Sequence, residues 1–154
     1  MTLSISTPVT GGAQTGLTSP TYTLINDVAP NAQGKQYAVS ALGGTQTNVR
    51  VHSASDPFTA TVERPAVIRP VPVVPVGGTL TPVPRNTYVV RIRKGVTCVV
   101  GQAPQPALLE CRMNVPAGSD INDPANLRAA MSLLVGVLSQ ISSGAGDTLV
   151  QGVI

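Results

Sequence analysis

NTYVVRIRK (86–94), LLECRMNVP (108–116) and DPANLRAAMSLLVGVLSQ (123–140) decide the fold. The first two alternate residue by residue. Tyr88, Val90, Ile92 and Lys94 oppose Thr87, Val89, Arg91 and Arg93; Leu109, Cys111, Met113 and Val115 oppose Leu108, Glu110, Arg112 and Asn114. A period of two marks a half-buried antiparallel strand. The third segment repeats at three and four: Leu127, Ala130, Met131, Leu134, Val135 and Leu138 form one broad apolar stripe. Asn122 or Asp123 is a natural N-cap, and Pro124 falls near the first helical position, where its missing N–H costs nothing. Gly136 costs about 1 kcal/mol against alanine but permits a close crossing.

Upstream, TYTLIND (21–27) and KQYAVSAL (35–42) flank the turn-type PNAQG and predict a hairpin. NVRVHS (48–53) and FTATVER (58–64) alternate as further strands. Residues 1–19 are polar and uncharged, as expected of a flexible arm. Between Pro65 and Pro84 lie six prolines, which rules out a central strand. That stretch is either an extended loop or a small hairpin turned by VGGT (76–79). VTCVVGQAPQPA is a loop stiffened by Pro104 and Pro106. SSGAG (142–146) should stop the helix, leaving DTLVQGVI for a last short turn. The expected class is α+β: an N-terminal hairpin, an antiparallel meander of about five strands, then C-terminal helix.

Composition narrows the function. A chain of 154 residues reads as one domain able to bury a core. With 42% apolar residues and a net charge of +3, disorder of the whole chain is excluded. Only 11% of residues are charged, which suits subunits that bury surface against each other. The first charged residue is Asp27, and MTLSISTPVTGG holds no continuous apolar run, so no signal peptide is predicted. The run 129–138 is too short to span a bilayer, so a soluble chain made in a cytoplasm is expected. Cys98 and Cys111 with a single histidine cannot close a zinc shell. Both read as ordinary thiols, with Cys98 a candidate for a loop-to-loop disulfide between subunits. His52 has no partner that would make it catalytic. No nucleophile elbow, metalloprotease, P-loop or dinucleotide motif occurs. No enzyme activity, cofactor or small-molecule substrate is expected.

Stacking the strands exposes a mismatch of areas. A helix 10–12 Å wide cannot cover four or more strands spaced about 4.8 Å apart; a second helix is needed, and the chain offers no other candidate. A symmetric dimer, each subunit lending its helix to the partner's sheet, resolves this. Leu127, Met131, Leu134, Val135 and Leu138 are then the interface. The opposite face collects Arg50, His52, Thr59, Thr61, Arg91, Arg93, Arg112 and Asn114, with Glu63 and Glu110. Four arginines against two glutamates leave two excess positive charges. Such a face suits phosphates and unpaired bases.

The order of these segments resembles the coat proteins of single-stranded RNA bacteriophages, the levivirus group. RNTYVVRIRK is similar to a basic strand of that family. MNVPAGSDINDPANLRAAMSLLVGVL is similar to its closing strand, acidic loop and long helix, and DTLVQGVI to its last short helix. The resemblance implies interlocked dimers, an icosahedral shell around single-stranded genomic RNA, and assembly in a bacterial cytoplasm. It also implies an RNA hairpin bound on the inner sheet face, which in this family can repress replicase translation. Thr59 and Thr61 match the hydroxyl pair that contacts flipped-out bases, and Arg91 or Arg93 matches the basic position on the next strand. Arg112 and Asn114 lie on the inner face of the closing strand, and the loop from Gly95 to Leu108 is the one that gathers around the shell's axes. Glu110 and Leu108 stand where an amide and a stacking aromatic belong, which favours general RNA packaging over hairpin specificity. The 65–84 stretch is longer than the family's connection. Two other classes fit less well: a secreted fimbrial or surface-layer β subunit, and a free dimeric nucleic-acid-binding sheet protein.

Overall fold

The computed structural model describes residues 4–74, 76–79 and 82–154. Six strands form one antiparallel sheet in simple sequence order: β1 (Val9–Thr10), β2 (Thr18–Asp27), β3 (Gly34–Thr45), β4 (Phe58–Glu63), β5 (Arg85–Val96) and β6 (Gln105–Pro116). Three helices follow: α1 (Ser119–Asn122), α2 (Pro124–Gln140) and α3 (Ser142–Gln151). The α+β class, the β2–β3 hairpin and the two diagnostic strands stand as expected. β5 and β6 pair over their full twelve residues, from Arg85 opposite Pro116 to Val96 opposite Gln105. Among the described residues β6 closes the sheet with a partner on one side only.

Three expectations need correction. NVRVHS is not a strand: Asn48 takes a left-handed conformation, φ 66°, which breaks extended pairing. The segment is instead a loop; Arg50 binds the Asp56 carboxylate and Gly95 O, and His52 Nδ1 accepts the Phe58 N–H. The missing strand is replaced by β1, which arises in the supposed flexible arm and pairs Val9 with Tyr22. Residues 13–15 of that arm are also fastened. Gln14 Nε2 donates to Ser142 O (2.8 Å) and Oγ (3.0 Å), Ser142 Oγ donates to Ala13 O, and Thr15 Oγ1 to Asp147. Residues 1–3 of the arm lie outside the described residues.

Third, SSGAG starts a helix where it was expected to end one. α2 ends at Gln140 with Ile141 as its cap, and α3 leaves at 61°. Gly12 and Gly146 explain why the small residues sit here: a Cβ on the first would strike Ser142 Oγ, and on the second the Gln14 carboxamide. The stop comes ten residues later at Gly152, φ 72°, whose N–H bonds Thr148 O. At the other end, α2 begins as expected, with Asp123 Oδ1 accepting from Asn126 N and Pro124 in the first turn. Among the described residues no single helix is long and apolar enough to cross a membrane.

The proline-rich stretch is an extended strap, its described parts without ladder pairing. Asn86, 6% exposed, clamps it by donating to Arg69 O and accepting from Arg69 N. The alternative of a small hairpin rests in part on residues 75, 80 and 81, outside the described residues.

Candidate nucleic-acid interface and assembly surfaces

Register sorts the side chains into two unlike faces. Residues directly opposite in an antiparallel pair share a face. One polar row runs Asp27, Gln36, Thr61, Arg91, Glu110 across β2 to β6; beside it run Ile25, Ala38, Thr59, Arg93, Leu108, and then Glu63, Val89, Arg112. The apolar face carries Tyr37, Ala60, Ile92 and Leu109 in one row, with Val62, Val90 and Cys111 in the next.

The polar face largely satisfies itself. Gln36 Nε2 donates to Asp27 (2.6 Å), and Thr61 Oγ1 donates to Gln36 Oε1 (2.9 Å). Arg91 reaches Glu110 through Nε at 2.6 Å and Glu63 through Nη1 at 3.2 Å, while Arg112 shares Glu110 at 3.3 Å. These bonds hold the Asp27 carboxyl below its ordinary range, chiefly through Gln36, and the Glu110 carboxyl likewise, chiefly through Arg91. Glu110 in turn raises the Arg91 guanidinium.

The expected RNA-contacting residues therefore separate into groups. Arg91, Arg93, Arg112, Thr59, Thr61 and Asn114 do share this face, with Asn114 accepting from Thr87 Oγ1 at 2.7 Å. Arg50 does not: it sits in the 46–57 loop, which removes one positive charge from the set expected on this face. Thr59 and Thr61 are 2% and 1% exposed, and the Thr59 hydroxyl has no hydrogen-bond partner among the described residues. Arg93 is exposed and has no ion-pair partner among the described residues; Arg112 is more than half exposed.

Near the 97–104 loop lies a cluster that sequence reasoning missed. Asp56, 6% exposed, accepts from Lys94 Nζ (2.8 Å) and from Arg50 Nε. Burial works to raise its carboxyl, but the hydrogen bonds from Lys94 and then Arg50 outweigh that and lower it. Lys94 also stands 5.1 Å from the Phe58 ring centroid, and Phe58 meets Tyr22 edge-on at 5.6 Å. A Cβ on Gly95 would collide with Asp56. Only Asp56–Pro57, a turn-type pair, hints at this in the sequence.

The apolar face has the helices over it but is not filled. Between sheet and helices lies a cavity of about 640 Å³ bounded by Tyr22, Phe58, Val90, Ile92, Leu138 and Leu149, among others. A second, of about 500 Å³, separates Tyr88, Met113 and Val115 from Leu127, Ala130, Met131 and Leu134. Neither α2 nor α3 has a buried residue; Met131, Leu133, Val135, Val137 and Leu138 of α2 are between 43% and 69% exposed. Leu127, Met131, Leu134 and Leu138 thus face the sheet side, with Val135 turned away from both cavities. Cys98 is an exposed free thiol and Cys111 a half-buried one.

No family model and no curated protein matches the chain. Among solved structures, the virus-like particle of bacteriophage ESE020 superposes with a TM-score of 0.96, at 54% identity, over 99% of this chain and all of that one. The chain belongs to the coat proteins of levivirus-type bacteriophages. The virus-like particle of Beihai levi-like virus 32 is more distant: TM-score 0.48 and 12% identity over 86% of this chain and 88% of that one. As a capsid subunit, the coat protein is a structural component of the virion that assembles with copies of itself into a shell.

Proposed function

We propose that this coat protein forms a symmetric dimer, that dimers close into an icosahedral shell, and that the polar sheet face lines the interior and packages single-stranded RNA. The observation that carries this is the separation of the faces: α2 and α3 stand over the side that carries Val90 and Ile92, with two largely apolar cavities beneath them, while Arg91 and Arg93 project from the other. The dimer is supported by two unfilled requirements. β6 offers a twelve-residue edge without a second neighbour among the described residues, a template for pairing. The apolar face needs more cover than its own helices supply, with Leu109 48% exposed. Antiparallel pairing of β6 with the partner's β6 meets the first need and brings a second set of helices for the other.

Arg93 and Arg112 are the residues best placed for phosphates. Burial of Thr59 and Thr61 favours packaging through the backbone over recognition of one hairpin, so a translational repressor role needs these hydroxyls to be uncovered first. Assembly in the bacterial cytoplasm follows from the RNA cargo.

The test is to express the chain in bacteria, treat the lysate with nuclease, and examine purified protein by negative-stain microscopy with its 260/280 nm absorbance ratio. Uniform spheres with a nucleic-acid-rich ratio are expected. Empty spheres would refute RNA packaging, and monomers at every salt concentration would refute the shell and the dimer together.

A further inference from the structure

Two exposed apolar segments sit at opposite ends of the β5–β6 hairpin. At one end is the strap: Val67 is 76% exposed, Ile68 53% and Val73 95%. It is held in place by the Asn86 clamp on Arg69 and by Val71, which covers the space where Gly118 (φ 88°) lacks a side chain. At the other end is the 97–104 loop, with Val99 62% and Val100 97% exposed. Apart from Arg69, whose backbone Asn86 holds, neither carries a charge: no Asp, Glu, Lys or Arg occurs in residues 70–84 or 95–109. Proline in both segments limits the entropy lost on docking.

Within one chain these segments cannot meet. Twelve strand residues at about 3.4 Å each hold them about 40 Å apart. Antiparallel pairing of two β6 strands changes that. Pro106 and Pro116 lack donors, so the pairable edge is 107–115, centred on Cys111. A twofold axis there sets the start of the partner's β6 beside the end of this chain's β6, where Ala117 N bonds Pro84 O and Val71 overlies Gly118. The partner's 97–104 loop then arrives next to the strap.

We infer that the clamped strap, residues 67–74, is the docking surface for the 97–104 loop of a second copy of this chain across the dimer axis. This rests on the dimer reading above. Each dimer holds two such contacts, one at each end of the paired hairpins. The strap thereby sets the angle at which the loop leaves the dimer toward neighbouring dimers. The length of the strap, unexpected in a connection between adjacent strands, is what lets it reach the loop.

The native thiol at Cys98 makes the test direct. Purified, reduced Val73→Cys protein is treated with a short bis-maleimide, and cross-linked peptides are identified by mass spectrometry, with oligomeric state read by native mass spectrometry on the same sample. The expected result is a dimer in which position 73 is joined to Cys98, and loss of that product in Val73→Cys with Cys98→Ser. A dimer with no 73–98 product, or one joined only between the two copies of position 73, overturns the docking inference alone. A sample that is monomeric throughout overturns the dimer reading as well.

Discussion

The two faces of the sheet are built from alternate residues of the same strands, yet they end in opposite states. The polar face is nearly closed on itself: Asp27, Gln36 and Thr61 form one hydrogen-bonded run, and Arg91 spends both its reaches on Glu63 and Glu110. The apolar face is left incomplete, with cavities of about 640 and 500 Å³ beneath helices that bury nothing. Burial of apolar surface is worth about 25 cal/mol per Å², so the driving force for association lies on the incomplete face. The polar face contributes contact with cargo, through the few charges it has not already neutralised. A modest net charge suffices there because a shell repeats it over every copy.

The largest effect should come from charging the incomplete face. Leu134→Asp places a carboxylate in the cavity it shares with Tyr88, Met113 and Val115, which costs several kcal/mol when that space is filled by apolar groups and the charge is unpaired. Dimers measured by mass photometry should weaken by about a thousandfold or more, equivalent to about 4 kcal/mol. A dimer as tight as wild type would place the interface elsewhere.

Next is the cluster where the faces meet. Asp56→Asn removes the charge that holds Lys94 and Arg50, and thermal melts should show a loss of about 2 kcal/mol. The pH dependence has a definite sign. Because the folded Asp56 carboxyl titrates lower than the unfolded one, its stabilisation is complete above the ordinary value of 3.8 and is lost as pH falls through the lower, folded value. Wild type should therefore destabilise more steeply than Asp56→Asn in that acid window; parallel curves would remove the cluster from the account.

A smaller effect separates two arginines that look alike in the sequence. Arg93→Ala should reduce the slope of log affinity for RNA against log salt by about 1. Arg91→Ala should change that slope less, because its charge is already committed to Glu63 and Glu110, and should show mainly as a lower melting temperature. Equal slopes for the two variants would mean that the ion pairs open when RNA binds. Smallest of all, Gln14→Ala breaks two bonds from the N-terminal segment to Ser142 and should lower stability by about 1 kcal/mol, with dimerisation unchanged.

Periodicity made β5, β6 and α2 legible, since their alternations and stripe are long and unbroken. It failed where short-range contacts outweighed pattern. NVRVHS alternates well enough for a strand, but Asn48 turns left-handed and Arg50 is drawn to Asp56, six residues on. SSGAG carries the composition of a helix stop, yet its small residues serve close packing against Gly12 and Gln14, which lie over 120 residues away in the chain. The polar face was legible from alternation on β4, β5 and β6, but the same alternation wrongly added Arg50 and His52, which are loop residues. The neutralisation of that face was not legible, because Arg91, Glu63 and Glu110 meet only through the register of three strands.

The central claim, that a second copy completes the sheet and its apolar face, is tested most directly by residue-resolved hydrogen exchange along β6 in the purified dimer. In an edge strand alternate amides lack a partner and exchange fast. The account predicts slow exchange at every amide from Ala107 to Val115. Alternating fast and slow amides along that strand would show a free edge and contradict it.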